Sequence, residues 1–135
     1  NENIFGKGFI PSYDFTKAKT IVSINADFIC NWLLPSKFST DFSKARKPEN
    51  GWMSKHFQFE SVLSLTGANS DVRVKIKPSE EILVASSILS SLNNQNSNSS
   101  LNEVTNEKIQ SAVKSLLENK GNSLVVAGSN DPNVQ

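Results

Sequence analysis

The sequence predicts an α/β fold of Rossmann-like, three-layer architecture, with a mostly parallel sheet of about four strands and helices on both faces. Short, uninterrupted apolar runs such as Thr20–Ile24 and Ser123–Ala127 are typical of strands buried on both faces. These runs alternate with amphipathic segments of helical spacing, which parallel strands need as crossover connections. With right-handed crossovers, the strand order 3-2-1-4 would form half of a Rossmann-like sheet.

Two more strands are expected between those runs. Phe57–Leu65 is rich in residues that favour β-structure. Val72–Ile76 alternates apolar and charged side chains, which predicts one solvated face. Thr66–Asn69, between the two strands, is interpreted as a turn.

Three segments have helical patterns. The first begins at Pro35, which suits a first helical turn, and ends before Pro48. In the second, Ser79 is predicted to be the N-cap of a helix that continues through Leu92. The third covers Glu107–Asn119, where apolar residues recur at helical spacing.

The whole chain, 1–135, is predicted to be a single α/β domain. Residues 1–16 are expected to form an extended arm that docks through aromatic side chains. Residues 93–104 are interpreted as a low-complexity loop insertion, because their first part is a run of Asn, Gln and Ser. The chain starts at Asn1 and stops at Gln135 without an initiator methionine, so we interpret it as a piece of a larger protein.

Composition excludes several classes of function. The 14 Lys and Arg residues nearly balance the 13 Asp and Glu residues, which argues against a broad surface for nucleic acid. The single cysteine, Cys30, cannot form an internal disulfide or by itself hold an iron–sulfur cluster. The single histidine, His56, rules out a histidine-rich metal site. Because no run of about 18 apolar residues exists, no direct membrane insertion is expected.

Individual reactive residues do not point to catalysis. Ser61, His56 and Asp71 are disfavoured as a triad, since Ser61 falls within a predicted strand and lacks a nucleophile-elbow motif. His56 is expected at a loop or strand entry, bonded to backbone, and Cys30 is expected to be buried or half-buried. No glycine-rich phosphate motif follows the first strand.

The ends of the predicted strands are the best candidates for a binding crevice. Short polar side chains and backbone amides there could hold a phosphate or a base edge. Ordinary turn and cap chemistry explains the same residues, and both interpretations stay open. The segments are Asn25–Phe28, Thr66–Asn69, Lys77–Glu80 and Gly128–Asp131.

Two surface features have simpler interpretations. The basic residues Lys44, Arg46 and Lys47 are expected to complement a helix dipole on a solvated face. The loop residues Trp52 and Met53 are candidates for an interface, because loop-borne aromatic side chains often pack under a neighbouring domain.

Many short segments, taken in order, resemble one family. They are Tyr13–Ser23, Ala26–Phe28, Trp32, Pro35, Arg46–Lys47, Met53–His56, Gln58–Ser61, Ser64–Asn69, Lys77–Glu80 and Asn122–Asn130. Together they resemble the molybdopterin-oxidoreductase-like, iron–sulfur subunit of bacterial alternative complex III, a quinol-oxidising, cytochrome-reducing membrane assembly. The resemblance runs from about Pro11 to Gln135 apart from the insertion, and it is to a fragment of the subunit's molybdopterin-like half.

The resemblance implies a cofactor-free structural or interaction domain in a membrane-associated respiratory electron-transfer complex. In that family the molybdopterin-like half lacks the metal cofactor, and the iron–sulfur clusters lie in a separate cysteine-rich half. The implied partners are that iron–sulfur half of the same parent chain and other subunits of the complex, with no nucleic acid. The implied location is the periplasmic face of the bacterial inner membrane.

The resemblance also implies an alternative, half of a molybdopterin guanine dinucleotide site in a working molybdenum-type oxidoreductase. The vestigial candidates for such a site are Asn25, Asp27, Thr66, Gly67, Asn69, Ser79 and Glu80. Two departures point away from it. The loop after the second strand lacks the Asp-Pro-Arg of molybdenum enzymes, and the helix cap reads Pro-Ser-Glu-Glu in place of Pro-Gly-Thr-Asp. A third hypothesis is an unrelated α/β binding module, whose longer reading frame would contain no cysteine-rich half.

Overall fold

A computed structural model of the chain describes residues 6, 8, 12–95, 100–129 and 134. Within these residues four strands form one sheet: β1 (Thr20–Ile24), β2 (Lys55–Glu60), β3 (Val72–Lys75) and β4 (Ser123–Ala127). The strand order is β3-β2-β1-β4, and every neighbouring pair is parallel. The predicted α/β, Rossmann-like fold class is confirmed, and the observed order is the expected one.

Over the same described residues, four α-helices connect the strands. They are α1 (Pro35–Ala45), the short α2 (Leu65–Ala68), α3 (Glu81–Leu92) and α4 (Glu103–Glu118). Helix α1 joins β1 to β2, and α3 and α4 together join β3 to β4. Short 3-10 helices lie at Phe15–Lys17, Pro48–Asn50 and Pro78–Glu80.

One face of the sheet packs on α3 and α4. Successive side chains of a strand point to opposite faces, so Val22 and Ile24 of β1 lie beside Phe57 and Phe59 of β2 in this apolar layer. Both phenylalanines are fully buried. Burying a side chain of this size contributes about 2 kcal/mol, so the two inner strands anchor the fold.

The other face packs on α1 through a separate aromatic cluster. The Phe15 ring lies 4.5 Å from the Phe28 ring and 5.0 Å from the Phe38 ring, measured between centroids. Offset and tilted ring pairs of this kind stabilise a core beyond their buried area. Phe15 therefore belongs to the core. The rest of the predicted arm, 1–16, lies mostly outside the described residues.

The second strand differs from its predicted bounds. It begins at Lys55 and ends at Glu60, because Glu60 turns its carboxylate back to Ser64, whose hydroxyl donates to it at 2.6 Å. Ser61 therefore lies beyond the strand. The predicted turn at Thr66–Asn69 is also wrong, since Ser64 caps α2 by accepting a hydrogen bond from the Gly67 N–H at 2.9 Å.

Two helix starts were also predicted incorrectly. Ser79 is not an N-cap, because Pro78–Glu80 forms a 3-10 turn and α3 begins after it. Helix α4 starts at Glu103, earlier than predicted, since the Asn102 side chain accepts a hydrogen bond from the Thr105 N–H at 2.8 Å. The predicted insertion, 93–104, therefore overlaps α4, and its residues 96–99 lie outside the described part of the chain.

Candidate functional site

The carboxyl ends of the strands form the candidate site. In the order β3-β2-β1-β4, the chain leaves β1 for one side of the sheet and returns as β4 on the other side. A crevice at such a switch point is where open parallel sheets usually bind ligands. The segment after β1 and the described residues after β4, Gly128 and Ser129, flank this point, with the loop after β2 beside them. Residues 130 and 131 of the predicted segment lie outside the described residues.

Asn25 is the first residue after β1. Its φ of 51° is left-handed, a conformation that asparagine tolerates better than most residues. Its backbone N–H donates to the Phe59 carbonyl at 2.7 Å, and its amide Nδ2 donates to Glu81 Oε1 at 2.9 Å. Asn25 therefore fastens the end of β1 to both β2 and the start of α3.

Asp27 is bonded to another predicted site residue, Thr66. Asp27 Oδ1 accepts from the Thr66 N–H at 3.1 Å and from the Thr66 hydroxyl at 2.7 Å. The Thr66 oxygen in turn accepts from the Ile29 N–H at 3.0 Å. Thr66 is fully buried. These bonds join the loop after β1 to the loop after β2 and use the groups that a ligand would need.

Gly67 and Asn69 have separate roles. Gly67 is buried against the Glu60 side chain, and a β-carbon at this position would overlap the Glu60 carboxylate. Asn69 is exposed, and its side-chain amide donates to the Leu65 carbonyl at 2.8 Å. It lines a shallow surface depression of about 270 Å³ together with Phe42 and Arg46.

Ser79 and Glu80 lie in the 3-10 turn before α3. Ser79 is exposed. The Glu80 carboxylate accepts a hydrogen bond from the Lys77 N–H at 2.8 Å and so caps its own turn. Glu80 also lines a depression of about 450 Å³ with Lys75 and Asn102. Of the seven predicted residues, then, Asp27 and Thr66 bond directly, and Asn25 bonds to the residue next to Glu80.

Sequence reasoning missed a column of buried polar side chains on β2. His56, Gln58 and Glu60 are 0%, 0% and 1% exposed, and they all point to the α1 face. His56 Nε2 lies 3.2 Å from Gln58 Oε1, and Gln58 Nε2 donates to Glu60 Oε2 at 3.2 Å. The alternation His-Phe-Gln-Phe-Glu is in the sequence, but polar residues of such a pattern usually face solvent.

Glu60 ends this column as a buried but well-bonded carboxylate. Burial by itself would raise its pKa, but hydrogen bonds from Ser64, Arg73 and Gln58 outweigh that effect and lower the pKa below the usual value. The Arg73 Nε donates to Glu60 Oε1 at 2.5 Å. Glu60 is therefore an anion whose charge is neutralised by the protein's own donors, and it is not free to act as a general acid or base.

His56 has no catalytic arrangement. Burial lowers its pKa from 6.5 to about 4, so the ring is neutral near pH 7. Asp71 Oδ2 accepts from the backbone N–H of His56, at 2.7 Å, and not from the ring. Ser61 lies beyond the opposite end of β2, roughly 16 Å away along the strand. His56 lies at the entry of β2, as predicted, but its ring contacts the Gln58 side chain and not backbone.

Arg46 and Asp71 form a two-point ion pair beside the column. Arg46 Nη1 and Nη2 each lie 2.8 Å from an Asp71 oxygen. Although burial raises the pKa of Asp71, hydrogen bonds from Arg46 and the His56 backbone lower it below its usual value. The pair ties the end of α1 to the segment before β3. Arg46 thus has a structural partner, beyond the dipole interaction that we predicted for it.

Apolar side chains are exposed at the same edge of the sheet. Val62, Leu63 and Leu65 follow β2 and are 75%, 62% and 51% exposed. Cys30, in the loop after β1, is also exposed, which corrects the expectation that it is buried or half-buried. Exposed apolar residues this close in the chain often mark a contact surface.

The described residues contain no group of three or more His, Cys, Asp or Glu side chains placed to hold a metal ion. In the same part of the chain, no helix is both long and apolar enough to cross a bilayer. No protein-family model matches the sequence, and no curated protein matches it significantly.

Proposed function

We propose that this chain is a cofactor-free interaction domain whose strand-end loops contact another protein and bind no nucleotide. The observation that carries the proposal is the closure of the candidate crevice by its own residues. Asp27 is bonded to Thr66, and Asn25 is bonded to Glu81.

The charges at this edge support the same function. A pterin dinucleotide is anionic and needs free N–H donors, such as those of an open helix N-terminus. Here the N–H of Thr66 donates to Asp27 and that of Lys77 donates to Glu80. The carboxylates of Asp27 and Glu81 at the switch point would repel phosphate.

The apolar loop after β2 supplies a contact surface. Val62, Leu63 and Leu65 lie within four consecutive residues and are largely exposed. Covering them with an apolar partner surface would remove this area from water, at a gain of roughly 25 cal/mol per Å². This loop is therefore the part of the edge that we expect a partner to bury.

The resemblance names the partner and the setting of this proposal. The domain would belong to a molybdopterin-oxidoreductase-like subunit of a membrane-associated respiratory complex, on the periplasmic face of the inner membrane. Its loop would pack against the iron–sulfur half of the same parent chain or against another subunit.

Titration of the isotope-labelled domain with guanosine nucleotides and with molybdopterin guanine dinucleotide tests the first half of the proposal. We expect no saturable amide shifts at about millimolar ligand. This concentration would detect a binding free energy of roughly 4 kcal/mol or stronger. Saturable shifts confined to Asn25–Phe28, Thr66–Asn69 and Lys77–Glu80 would instead establish the alternative, half of a dinucleotide site.

Hydrogen exchange tests the second half. Amides of 61–66 are compared between this chain and the longer protein that carries the cluster-bearing half. We expect slower exchange in the longer protein, and we expect L63S/L65S to reverse it. Leu89→Ser is the matched control, since Leu89 is 62% exposed on α3. Equal exchange of these amides in both proteins would refute the contact.

A further inference from the structure

The opposite edge of the sheet, where the strands begin, has a different surface chemistry. Lys19 precedes β1, and its carbonyl accepts a hydrogen bond from the Lys55 N–H at 2.9 Å. The Lys19 N–H donates to the Asn122 carbonyl at 2.7 Å. The starts of β2, β1 and β4 are thereby fixed side by side, so that residues flanking them share one surface.

Trp52 lies on this surface. The Lys19 Nζ is 5.8 Å from the centre of the Trp52 ring, a cation–π distance. Trp52 is half-buried, and its neighbour Met53 is 53% exposed. The Ser54 N–H donates to the Ala45 carbonyl at 3.0 Å, which holds the loop against the end of α1. A fixed loop can present an aromatic side chain with little loss of entropy on binding.

Positive charge is concentrated at this edge of the sheet. In the described part of the chain the ion pairs within 4 Å leave five lysines at this edge without a carboxylate partner: Lys19, Lys44, Lys47, Lys55 and Lys120. Between residues 44 and 55 the sequence contains a single carboxylate, Glu49. Since the net charge of the whole chain is only +1, this edge is much more positive than the rest of the molecule.

We propose that this basic surface, formed by Trp52, Met53 and the five lysines at the same edge of the sheet, docks an acidic protein surface. Charge complementarity requires the partner surface to be negatively charged. The exposed methionine beside a tryptophan is typical of the centre of a protein interface. Arg46, the arginine that could fork onto phosphate here, is already bonded to Asp71. A protein partner therefore fits better than a nucleic acid.

This inference goes beyond the proposed function and does not rest on it. The crevice and Val62, Leu63 and Leu65 lie at the carboxyl ends of the strands, whereas the basic surface lies at the amino ends. A partner can occupy one edge and leave the other free. The two experiments therefore fail or succeed separately.

The test uses Trp52 as the reporter. Trp32→Phe leaves Trp52 as the sole tryptophan, and the probe is a short peptide of glutamates around two leucines. We expect a saturable change in Trp52 fluorescence that weakens as salt is raised from about 0.05 to 0.5 M. If Trp32→Phe unfolds the chain, the Trp52 indole N–H resonance of the unaltered protein gives the same titration.

Charge reversal locates the binding. We expect K19E/K55E to weaken peptide binding by about tenfold or more, because Lys19 contacts the Trp52 ring and Lys55 begins the neighbouring strand at the same edge. The control K75E/K108E makes the same change in net charge away from this edge and should leave binding within about twofold. K44E/K47E repeats the test with helix-end residues should K19E/K55E fail to fold.

Three results would overturn the proposal. One is the absence of a saturable change with the peptide, and another is an equal loss of binding in K75E/K108E. The third is tighter binding of single-stranded DNA or of phosphatidylserine vesicles than of the peptide, since either would assign the surface to a different class of partner.

Discussion

The carboxylate of Glu60 lies directly against the backbone of Gly67, at a place where any β-carbon would overlap it. This contact closes the end of the polar column on β2. Ser64, Arg73 and Gln58 supply the hydrogen bonds that make the buried charge tolerable. Gly67 is therefore needed to leave space for a carboxylate of the protein itself.

Gly67→Ala should destabilise the domain by about 2–4 kcal/mol, because the methyl group forces the Glu60 carboxylate away from its donors. The free energy of unfolding in urea measures this. Ala68→Gly, at the neighbouring exposed position, is the control and should cost about 1 kcal/mol or less. An unchanged stability of Gly67→Ala would mean that Glu60 relaxes at no cost.

His56 predicts a pH dependence of stability. Its pKa in the folded chain is about 4, below the unfolded value of 6.5, so the unfolded chain binds the proton first as pH falls. Stability is therefore constant above about pH 7 and is lost as pH falls, by about 2 kcal/mol between pH 7 and pH 5. This pH window lies above the pH range in which ordinary carboxylates titrate.

Urea unfolding at pH 7 and at pH 5 measures this effect, with His56→Gln as the matched variant. Glutamine keeps a polar group beside Gln58 and has no charge to gain. We expect the variant to be less stable at pH 7 but to lose much less stability between the two pH values. The same loss in both proteins would show that another group is responsible.

Thr66→Val tests the bond between the two loops. Valine has nearly the same shape, but it removes one donor to Asp27 and the acceptor of the Ile29 N–H. We expect a loss of about 1–3 kcal/mol in the free energy of unfolding, since buried polar groups are left unpaired. Thr40→Val on the exposed side of α1 is the control and should change stability by less than about 1 kcal/mol.

The α/β class was predictable because short apolar runs alternate in the sequence with amphipathic segments of helical spacing. Thr20–Ile24 and Ser123–Ala127 are strands at the predicted residues, since buried parallel strands are short apolar runs. Helix and strand ends were harder to predict, because they depend on side chains that act across turns. Glu60 and Ser64 end β2 in this way, and Asn102 starts α4.

The candidate site was only partly predictable. The strand-end loops could be located, because parallel strands place their carboxyl ends together. The hydrogen bonds between loop groups could not be predicted, since Asp27 and Thr66 are 39 positions apart in the sequence. The His56–Gln58–Glu60 column was missed because alternating polar residues usually predict a solvated face. In this fold both faces of β2 are covered.

At Gly128 the fold leaves no space for a side chain. It follows β4 at the switch point, and its N–H donates to the Ile24 carbonyl at 2.9 Å. A β-carbon there would overlap the Asn25 carbonyl and the Ala26 backbone, which cannot move aside as a side chain can. Gly128→Ala should therefore cost about 2–4 kcal/mol in the free energy of unfolding and broaden the amide resonances of Asn25 and Ala26. Gly121→Ala separates steric overlap from backbone strain, because Gly121 has a φ of 87° with open space around it and should lose only about 1 kcal/mol. A loss of about 1 kcal/mol or less for Gly128→Ala would mean that the close approach of β1 and β4 at Gly128 relaxes at little cost.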